Sequence, residues 1–419
     1  MNRLRTLLLL ALACAFAWPA QAHLTPNSEV KLDFGPRAVI ADVVIPLGEL
    51  GYALGRPLAP RAGPLAGETA RRVLGYLTPR ITAIAPDGRR WTTSVETAAI
   101  ATDVGAPDLR VRLRLAPPAG APARRFDLAY RAVIDRVPNH FVLVLVRTDY
   151  GAGRLSDRPQ MLGGLQPGAE RLTIDRGPGS AWRGFRSAVD LGMHHIAEGH
   201  DHLLFLIALL LPAPLLARGR RWAGYEGLRP TARLLARIVT AFTIGHSLTL
   251  IGGAFLGWTL PARPVEIGIA LSILVSAVHA WRPLFAGREA LVAGGFGLVH
   301  GLAFATLIGR FGLDPWQKAQ SILGFNLGIE LVQLIVVAAA LPALLLLAPT
   351  PAYAWVRIGG ALLAGVAAAA WLAERAIGVD NAIGRAIDAG LGHAPWLLAV
   401  VTLAAAAFRI VRREKGGAA

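Results

Sequence analysis

The sequence predicts a membrane α-helical bundle of about seven transmembrane helices, preceded by an exported all-β, sandwich-like domain. Three observations carry this prediction: a secretory N-terminus, alternating polar and apolar residues up to about residue 180, and long apolar segments beyond it. With 54% hydrophobic and 17% charged residues, the chain is too apolar for a solvated nucleic-acid-binding protein, despite a net charge of +16. We therefore divide it into a signal peptide (1–22), a periplasmic domain (23–180) and a polytopic transmembrane domain (181–419).

The first segment has the layout of a signal peptide. It has a basic start, a short apolar core and a small-residue ending, namely Arg3 and Arg5, 7–18, and Ala20-Gln21-Ala22. A retained signal anchor is the alternative. The single cysteine, Cys14, excludes an intrachain disulfide framework, and cleavage would remove it and leave no thiol. His23 would then be the mature N-terminus, where its amine and imidazole could chelate copper, although a lone terminal histidine is usually incidental.

Alternating stretches predict strands in the exported domain. They occur at 30–34, 109–115 and 126–130, and turn residues such as those at 117–120 separate them. Apolar residues on one face and polar residues on the other are typical of an antiparallel sheet with one solvated face. The alternating arginines Arg110, Arg112 and Arg114 fit that solvated face. The sequence does not identify a ligand for this domain.

Seven apolar segments follow, several near the ~20 residues that a spanning helix needs: 190–212, 234–256, 264–281, 289–309, 319–345, 353–373 and 395–410. Pro342 should end or kink the fifth segment. The basic residues of the connections, Arg357 included, concentrate on the side that also holds the C-terminus. By the positive-inside rule this predicts a bacterial inner-membrane protein with a periplasmic N-terminal domain and a cytoplasmic C-terminus.

The first apolar segment carries ionisable residues that must enter the membrane if the helix is to span it. On one continuous helix, His195 and His202 lie seven residues apart with Glu198 between them, and His194 and Asp201 form a second pair. Neutral imidazoles and carboxylates are suitable ligands for nickel, cobalt, copper or zinc. The alternative is an interfacial helix whose histidines are solvated.

Later segments add isolated polar residues. His246 and His300 lie in mid-segment, and Glu330 lies one turn after Asn326 in the fifth. Each could be a simple helix–helix hydrogen bond, which is the favoured interpretation for His279 near a segment end. Taken together, His246, His300 and Glu330 favour a shared polar site, because buried ionisable groups in membranes are costly.

The ordered set of these motifs resembles the HupE/UreJ-type membrane protein family, in the branch with an exported N-terminal domain. The resemblance covers the membrane half and rests on Gly192–Phe205 (GMHHIAEGHDHLLF), Phe242–Thr249 (FTIGHSLT), Val265-Glu266, Gly297–Gly301 (GLVHG) and Phe325–Glu330 (FNLGIE). It implies nickel or cobalt uptake serving hydrogenase and urease maturation. The matching positions are His195, Asp201, His202, His246, Glu266, His300, Asn326 and Glu330. The large exported domain and the additional His194 and His200 depart from the short members of the family.

The sequence therefore predicts a permease for a divalent transition metal, nickel or cobalt, with the metal as cargo and no prosthetic group. The expected partners are the lipid bilayer, the metal ion and a periplasmic partner of the exported domain, without nucleic acid. An outward-facing site would use His195, Glu198, Asp201 and His202, and a deeper relay would use His246, His300 and Glu330, supported by His194, Glu266 and Asn326. Two alternatives remain: an intramembrane zinc hydrolase using Ser247, although no HExxH motif is present, and a membrane-anchored sensor or metalloenzyme assembly factor.

Overall fold

The computed structural model describes residues 27–102, 106–258, 260–379, 381–391, 393 and 402–403. They form two compact units. The first contains the described residues up to Leu32, Ala38–Val146 and Gln160–Asp175, and the second contains Asp33–Arg37, Arg147–Pro159 and the chain from Arg176 onward. The predicted signal peptide, Cys14 and His23 lie outside the described residues, as does nearly all of the seventh apolar segment, 395–410.

The N-terminal region is rich in β-structure, as predicted. Its strands are β1 (Ser28–Phe34), β2 (Val39–Pro46), β3 (Gly63–Pro64), β4 (Ile81–Ile84), β5 (Thr92–Ala101), β6 (Asp108–Ala116), β7 (Arg125–Tyr130), β8 (Val142–Asp149), β9 (Arg154–Leu165) and β10 (Arg171–Asp175). They form a seven-stranded sheet in the order β3-β5-β6-β2-β1-β8-β9 and a three-stranded sheet in the order β10-β7-β4. The region also contains two helices, α1 (Leu47–Ala53) and α2 (Gly67–Leu77).

Strand β6 shows why the alternating pattern folds this way. Its apolar residues are buried, whereas Arg110 and Arg114 on the opposite face are exposed. Arg112, between them, lies 3.7 Å from a carboxylate oxygen of Asp42 and 3.3 Å from one of Glu96. The predicted solvated face is therefore confirmed, and neighbouring strands supply carboxylates to it.

A polar contact is buried in the β-rich unit. The Ser28 hydroxyl lies 2.7 Å from Nε2 of His140, and Nδ1 of His140 lies 3.8 Å from a carboxylate oxygen of Glu49. Burial lowers the pKa of His140 to about 4, because the charged imidazolium is poorly solvated there. The imidazole is therefore neutral at pH 7.

From Arg176 onward, the described residues of the second unit are helical apart from one hairpin. Its elements are α3 (Ala181–Glu198), α4 (His200–Leu210), β11 (Leu215–Arg218), β12 (Arg221–Tyr225), α5 (Leu228–Leu256), α6 (Ala262–Trp281), α7 (Glu289–Arg310), α8 (Pro315–Leu347), α9 (Ala352–Ile377) and α10 (Ala382–Leu391). Among the described residues, four helices are long and apolar enough to cross a membrane: α5, α6, α8 and α9. The prediction of one continuous helix over 190–212 is wrong, because the chain breaks between α3 and α4.

A local capping motif determines where helix α8 begins. Asp314 accepts a hydrogen bond from the backbone of Gln317, whose side chain accepts one from the backbone of Asp314. This reciprocal cap, with Pro315 in the first turn, fixes the helix start. The helix does not end at Pro342 but continues to Leu347, so a break is not found there.

Two helix pairs pack with their backbones in close contact at glycines. A Cβ on Gly245 or Gly297 would overlap carbonyl oxygens across the α5–α7 interface. A Cβ on Gly192 or Gly328 would do the same across the α3–α8 interface. Glycines therefore permit the close approach of these helices, three of which carry histidines of the candidate site.

Buried polar contacts also tie the helices together at one end of this unit. The Tyr353 hydroxyl donates to the Leu211 carbonyl oxygen at 2.6 Å. Nη1 of Arg357 donates to the carbonyl oxygens of Ala280 and Trp281, at 2.6 and 2.9 Å. Arg357, which the sequence groups with the helix-end residues Arg282 and Arg288, is buried on α9 and caps the C-terminus of α6.

Candidate functional site

Four imidazoles from four helices lie in contact inside the helical unit. The ring centroids are 6.2 Å apart for His246 and His195, 4.7 Å for His195 and His202, and 5.0 Å for His202 and His300. His202, His246 and His300 are buried, and His195 is partly buried. We call this row, in the order His246–His195–His202–His300, the histidine file.

Gly199 explains why His195 and His202 meet. Its backbone is extended (φ −80°, ψ 90°), so α3 ends at Glu198 and α4 restarts at His200. A Cβ at this position would lie 2.7 Å from both the His195 carbonyl oxygen and Nδ1 of His202. Glycine is therefore required by close approach as well as being a poor helix former.

Aromatic rings surround the file. Phe304 and Phe325 lie 4.6 and 5.3 Å from the ring of His195, centroid to centroid. Phe205 and Phe242 lie 5.4 and 5.2 Å from the ring of His300. These side chains keep the imidazoles in surroundings of low polarity, where interactions with a charged ligand are strong.

Asp201 fixes the tautomer of His202. Its Oδ1 lies 2.9 Å from both Nδ1 and the backbone nitrogen of His202. Since a carboxylate only accepts, the imidazole donates through Nδ1 and keeps the lone pair of Nε2. Carboxylate–histidine pairs of this kind orient metal-ligating imidazoles in many proteins.

Ser272 does the same for His300 from helix α6. Its hydroxyl donates to the Ile269 carbonyl oxygen at 2.7 Å and lies 2.9 Å from Nε2 of His300. Because the single hydroxyl proton is used on Ile269, Ser272 accepts from Nε2, and Nδ1 of His300 keeps its lone pair. The sequence reasoning did not identify Ser272, since only the fold brings it to His300.

Each member of the file presents a ring nitrogen that lacks a hydrogen-bond partner among the described residues. These atoms are Nε2 of His195, Nε2 of His202, both nitrogens of His246 and Nδ1 of His300. A buried polar atom without a partner is costly, so such groups call for an explanation. A cationic ligand that accepts imidazole lone pairs would satisfy one nitrogen of each ring.

Asn326 belongs to the same neighbourhood. Its amide nitrogen donates to the Ile322 carbonyl oxygen at 2.8 Å, and its Oδ1 is buried without a partner in the described part of the chain. The side chain also interacts with His246. Glu330, one turn further along α8, is partly buried.

Three other predicted residues lie differently. Glu198 is exposed at the last position of α3, although it follows His195 by only three residues on the same helix. His194 is exposed too, with Nδ1 2.8 Å from the Asp190 carbonyl oxygen. Glu266 is exposed at the start of α6, 3.9 Å from Nε of Arg375.

Two further polar side chains have local structural roles. Nδ1 of His279 accepts hydrogen bonds from the backbones of Leu284 and Phe285 in the α6–α7 connection, at 3.1 and 3.3 Å, instead of forming the helix–helix hydrogen bond that the sequence favoured. The Ser247 hydroxyl donates to the Thr243 carbonyl oxygen at 2.7 Å, within its own helix.

The file is a row and not a coordination shell. Among the described residues, no three His, Cys, Asp or Glu side chains are grouped so that they could hold one metal ion together. Neighbouring imidazoles nevertheless contact each other in pairs along the row. The geometry offers successive ligand pairs to a small cation.

These features define the class of protein: a helical membrane protein with buried imidazoles and a partly buried carboxylate among its helices. Residues 169–375 match the family described as HupE / UreJ protein, and the chain belongs to this family through that region. Membership indicates a membrane protein of a transporter-type family related to nickel or cobalt transport. A comparison with curated proteins gives no match.

Proposed function

We propose that this protein is an inner-membrane permease for a divalent transition metal, nickel or cobalt, and that the ion passes along the histidine file. The observation that carries the proposal is the row of four imidazoles with unpartnered ring nitrogens. Imidazole nitrogen is a ligand that suits nickel and cobalt. In this proposal the metal is the transported ion and not a prosthetic group of the protein.

Pairwise contact along the file supports transfer in steps. A metal–nitrogen bond is about 2 Å long, so an ion between two imidazoles needs only small ring rotations to bind both. His195 and His202 would hold it first as a pair, and His300 or His246 would take over one ligand position. Conduction requires binding that is favourable but weak enough to be reversed, and pairs of neutral ligands provide it.

Asp201 would supply the compensating charge. It contacts His202 directly, so one carboxylate offsets part of the ion's double charge where the ion meets the file. Complete neutralisation by several carboxylates would trap the ion. Glu330 and Asn326 on α8 would act beyond His246 as a weaker polar continuation of the path.

The proposed orientation follows the distribution of basic residues. The N-terminal β-rich domain would be periplasmic and the C-terminus cytoplasmic, so that the path carries the ion inward. The exported domain would receive a periplasmic partner or hold the ion before transport. The proposed export of this domain depends on the signal peptide predicted at 1–22.

Accumulation of nickel, cobalt, copper and zinc in cells that express the protein tests this function. We expect wild-type cells to accumulate nickel or cobalt above the vector control, and His202→Ala to remove the gain while the protein still reaches the membrane. An immunoblot of the membrane fraction checks insertion. Undiminished accumulation with His202→Ala at equal protein level would refute the proposal.

A matched pair of carboxylate variants sharpens the test. Asp201→Asn removes the charge beside His202, whereas Glu198→Gln removes an exposed charge three residues earlier. We expect the first to reduce uptake at least about tenfold, since a lost interaction of 1.4 kcal/mol already gives that factor, and the second to retain it. Equal losses would show that general surface charge, and not the file, limits transport.

A further inference from the structure

Exposed arginines concentrate on two neighbouring connections of the helical unit. One group lies on the β11–β12 hairpin and the start of α5, and the other on the α6–α7 connection. We call the set the basic rim: Arg218, Arg220, Arg221, Arg229, Arg282 and Arg288.

The hairpin places like charges face to face. Arg218 and Arg221 are directly paired across the two strands, and Gly219 and Arg220 form the turn between them. Gly219 has a positive φ of 61°, which a two-residue turn of this kind requires. Like charges opposite each other destabilise a strand pair, so the tip is strained electrostatically unless an anion binds there.

The rim is held rigidly. Nε1 of Trp222, the residue after Arg221, donates to the His279 carbonyl oxygen at 2.9 Å, and its ring packs edge-on against His279 at 5.1 Å. The His279 ring in turn stacks on Phe285 at 3.7 Å. These contacts fasten the hairpin to the α6–α7 connection and bring both groups of arginines to one end of the unit.

In the described part of the chain, none of the rim arginines forms an ion pair. The nearby carboxylate of Glu289 is buried and accepts from the backbone of Gly287 instead. By contrast, Arg112 of the β-rich unit has two carboxylate neighbours. Arg282 packs over the ring of Trp281, with Cζ 4.3 Å from its centroid. The rim therefore presents positive charge that the protein itself does not neutralise.

Large apolar side chains are exposed beside these arginines. They include Trp281 (48% exposed), Leu284 (55%), Leu228 (53%) and Tyr225 (39%). Tryptophan and tyrosine next to basic residues are typical of the level of the lipid headgroups. A soluble acidic partner or a nucleic acid would meet charge without needing these apolar neighbours.

We propose that the basic rim binds the phosphate groups of anionic phospholipids such as phosphatidylglycerol. The guanidinium groups would hold the phosphate oxygens in bidentate pairs, and the apolar side chains would contact the adjoining acyl chains. A bound headgroup would neutralise the repulsion between Arg218 and Arg221. This role is independent of the metal path, because the rim shares no residue with the histidine file.

Native mass spectrometry of the detergent-purified full chain tests the proposal with two short-chain lipids, dioctanoyl phosphatidylglycerol and dioctanoyl phosphatidylcholine. We expect wild type to prefer the anionic lipid. The triple variant Arg218→Gln/Arg220→Gln/Arg221→Gln should lose at least about tenfold in affinity for it, since each basic residue near an anionic surface contributes roughly a fivefold factor.

The control variant Arg56→Gln/Arg61→Gln/Arg71→Gln removes the same charge from exposed arginines of the β-rich unit and should bind like wild type. Equal affinity of the hairpin and control variants would overturn the proposal. So would equal binding of both lipids, or displacement of phosphatidylglycerol by equimolar inorganic phosphate. If the triple variant does not fold, the turn variant Arg220→Gln decides: a loss of about two- to fivefold is expected, and wild-type affinity contradicts the proposal.

Discussion

Gly301 is the position where a single methyl group should separate two helices that hold the histidine file. It follows His300 on α7 and is buried against α5. A Cβ at Gly301 would lie 2.5 Å from the His246 carbonyl oxygen and closer still to Oγ1 of Thr249. Gly301→Ala therefore acts on both ends of the file, since His246 and His300 lie on the two helices involved.

The size of the effect follows from these distances. An ordinary contact between heavy atoms needs about 3.5 Å, so α5 and α7 must separate by roughly 1 Å at Gly301. Overpacking of this kind costs about 1–3 kcal/mol, and a rigid backbone oxygen puts this case toward the upper end. Because a 1 Å misplacement can cost about a hundredfold in a preorganised site, we expect metal uptake to fall by a similar factor.

The matched control is Gly295→Ala on the same helix. Gly295 is exposed, and a Cβ there meets nothing within 4 Å, so this change should be neutral or stabilise the helix by up to about 1 kcal/mol. The assay compares thermal unfolding in detergent and nickel accumulation for both variants. Equal stability and uptake of the two alanine variants would refute the close packing of α5 on α7 and the dependence of transport on it.

Three further predictions concern other sites. Gly199→Ala should reduce metal uptake more than tenfold at normal membrane levels, because its methyl group would press on His195 and His202; unchanged uptake contradicts this. Arg357→Met should lower unfolding stability in detergent by about 1–3 kcal/mol, since the α6 carbonyls lose their buried donor; wild-type stability excludes a capping role. For His140, the folded pKa of about 4 lies below the unfolded value of about 6.5. The folding stability that depends on the neutral imidazole is therefore complete above pH 6.5 and is lost as the pH falls toward 4. Hydrogen exchange of β1 and β8, corrected for intrinsic rates, should accelerate over this range in wild type and less in His140→Gln; identical profiles would exclude the effect.

Local patterns in the sequence predict the elements well where one physical cause dominates. The alternation of polar and apolar residues predicts β6, because the two faces of this strand have different surroundings. The length of the apolar segments predicts α5, α6, α8 and α9, because a helix must be that long to cross a bilayer. The break at Gly199 is different. A one-residue change of backbone conformation leaves the apolar pattern intact, so periodicity alone gave a continuous helix and placed Glu198 beside the imidazoles.

The site is predictable as a set of residue types but not as a geometry. His195, His202, His246 and His300 stand out because ionisable residues in apolar segments are costly. Their order in one row depends on how α3, α4, α5 and α7 pack through glycines, which no local pattern encodes. The support of His300 by Ser272 depends on the same packing.

The most direct test of the histidine file uses two adjacent histidines of the same helix. His195 contacts His202 and His246 in the file, whereas His194 is exposed and bound to the Asp190 carbonyl oxygen. The measurement is the initial rate of nickel or cobalt entry into proteoliposomes that contain purified wild type, His195→Ala or His194→Ala. We expect His195→Ala to lose transport and His194→Ala to transport at nearly the wild-type rate. Equal rates for the two variants, or loss only with His194→Ala, would contradict the file as the path of the ion.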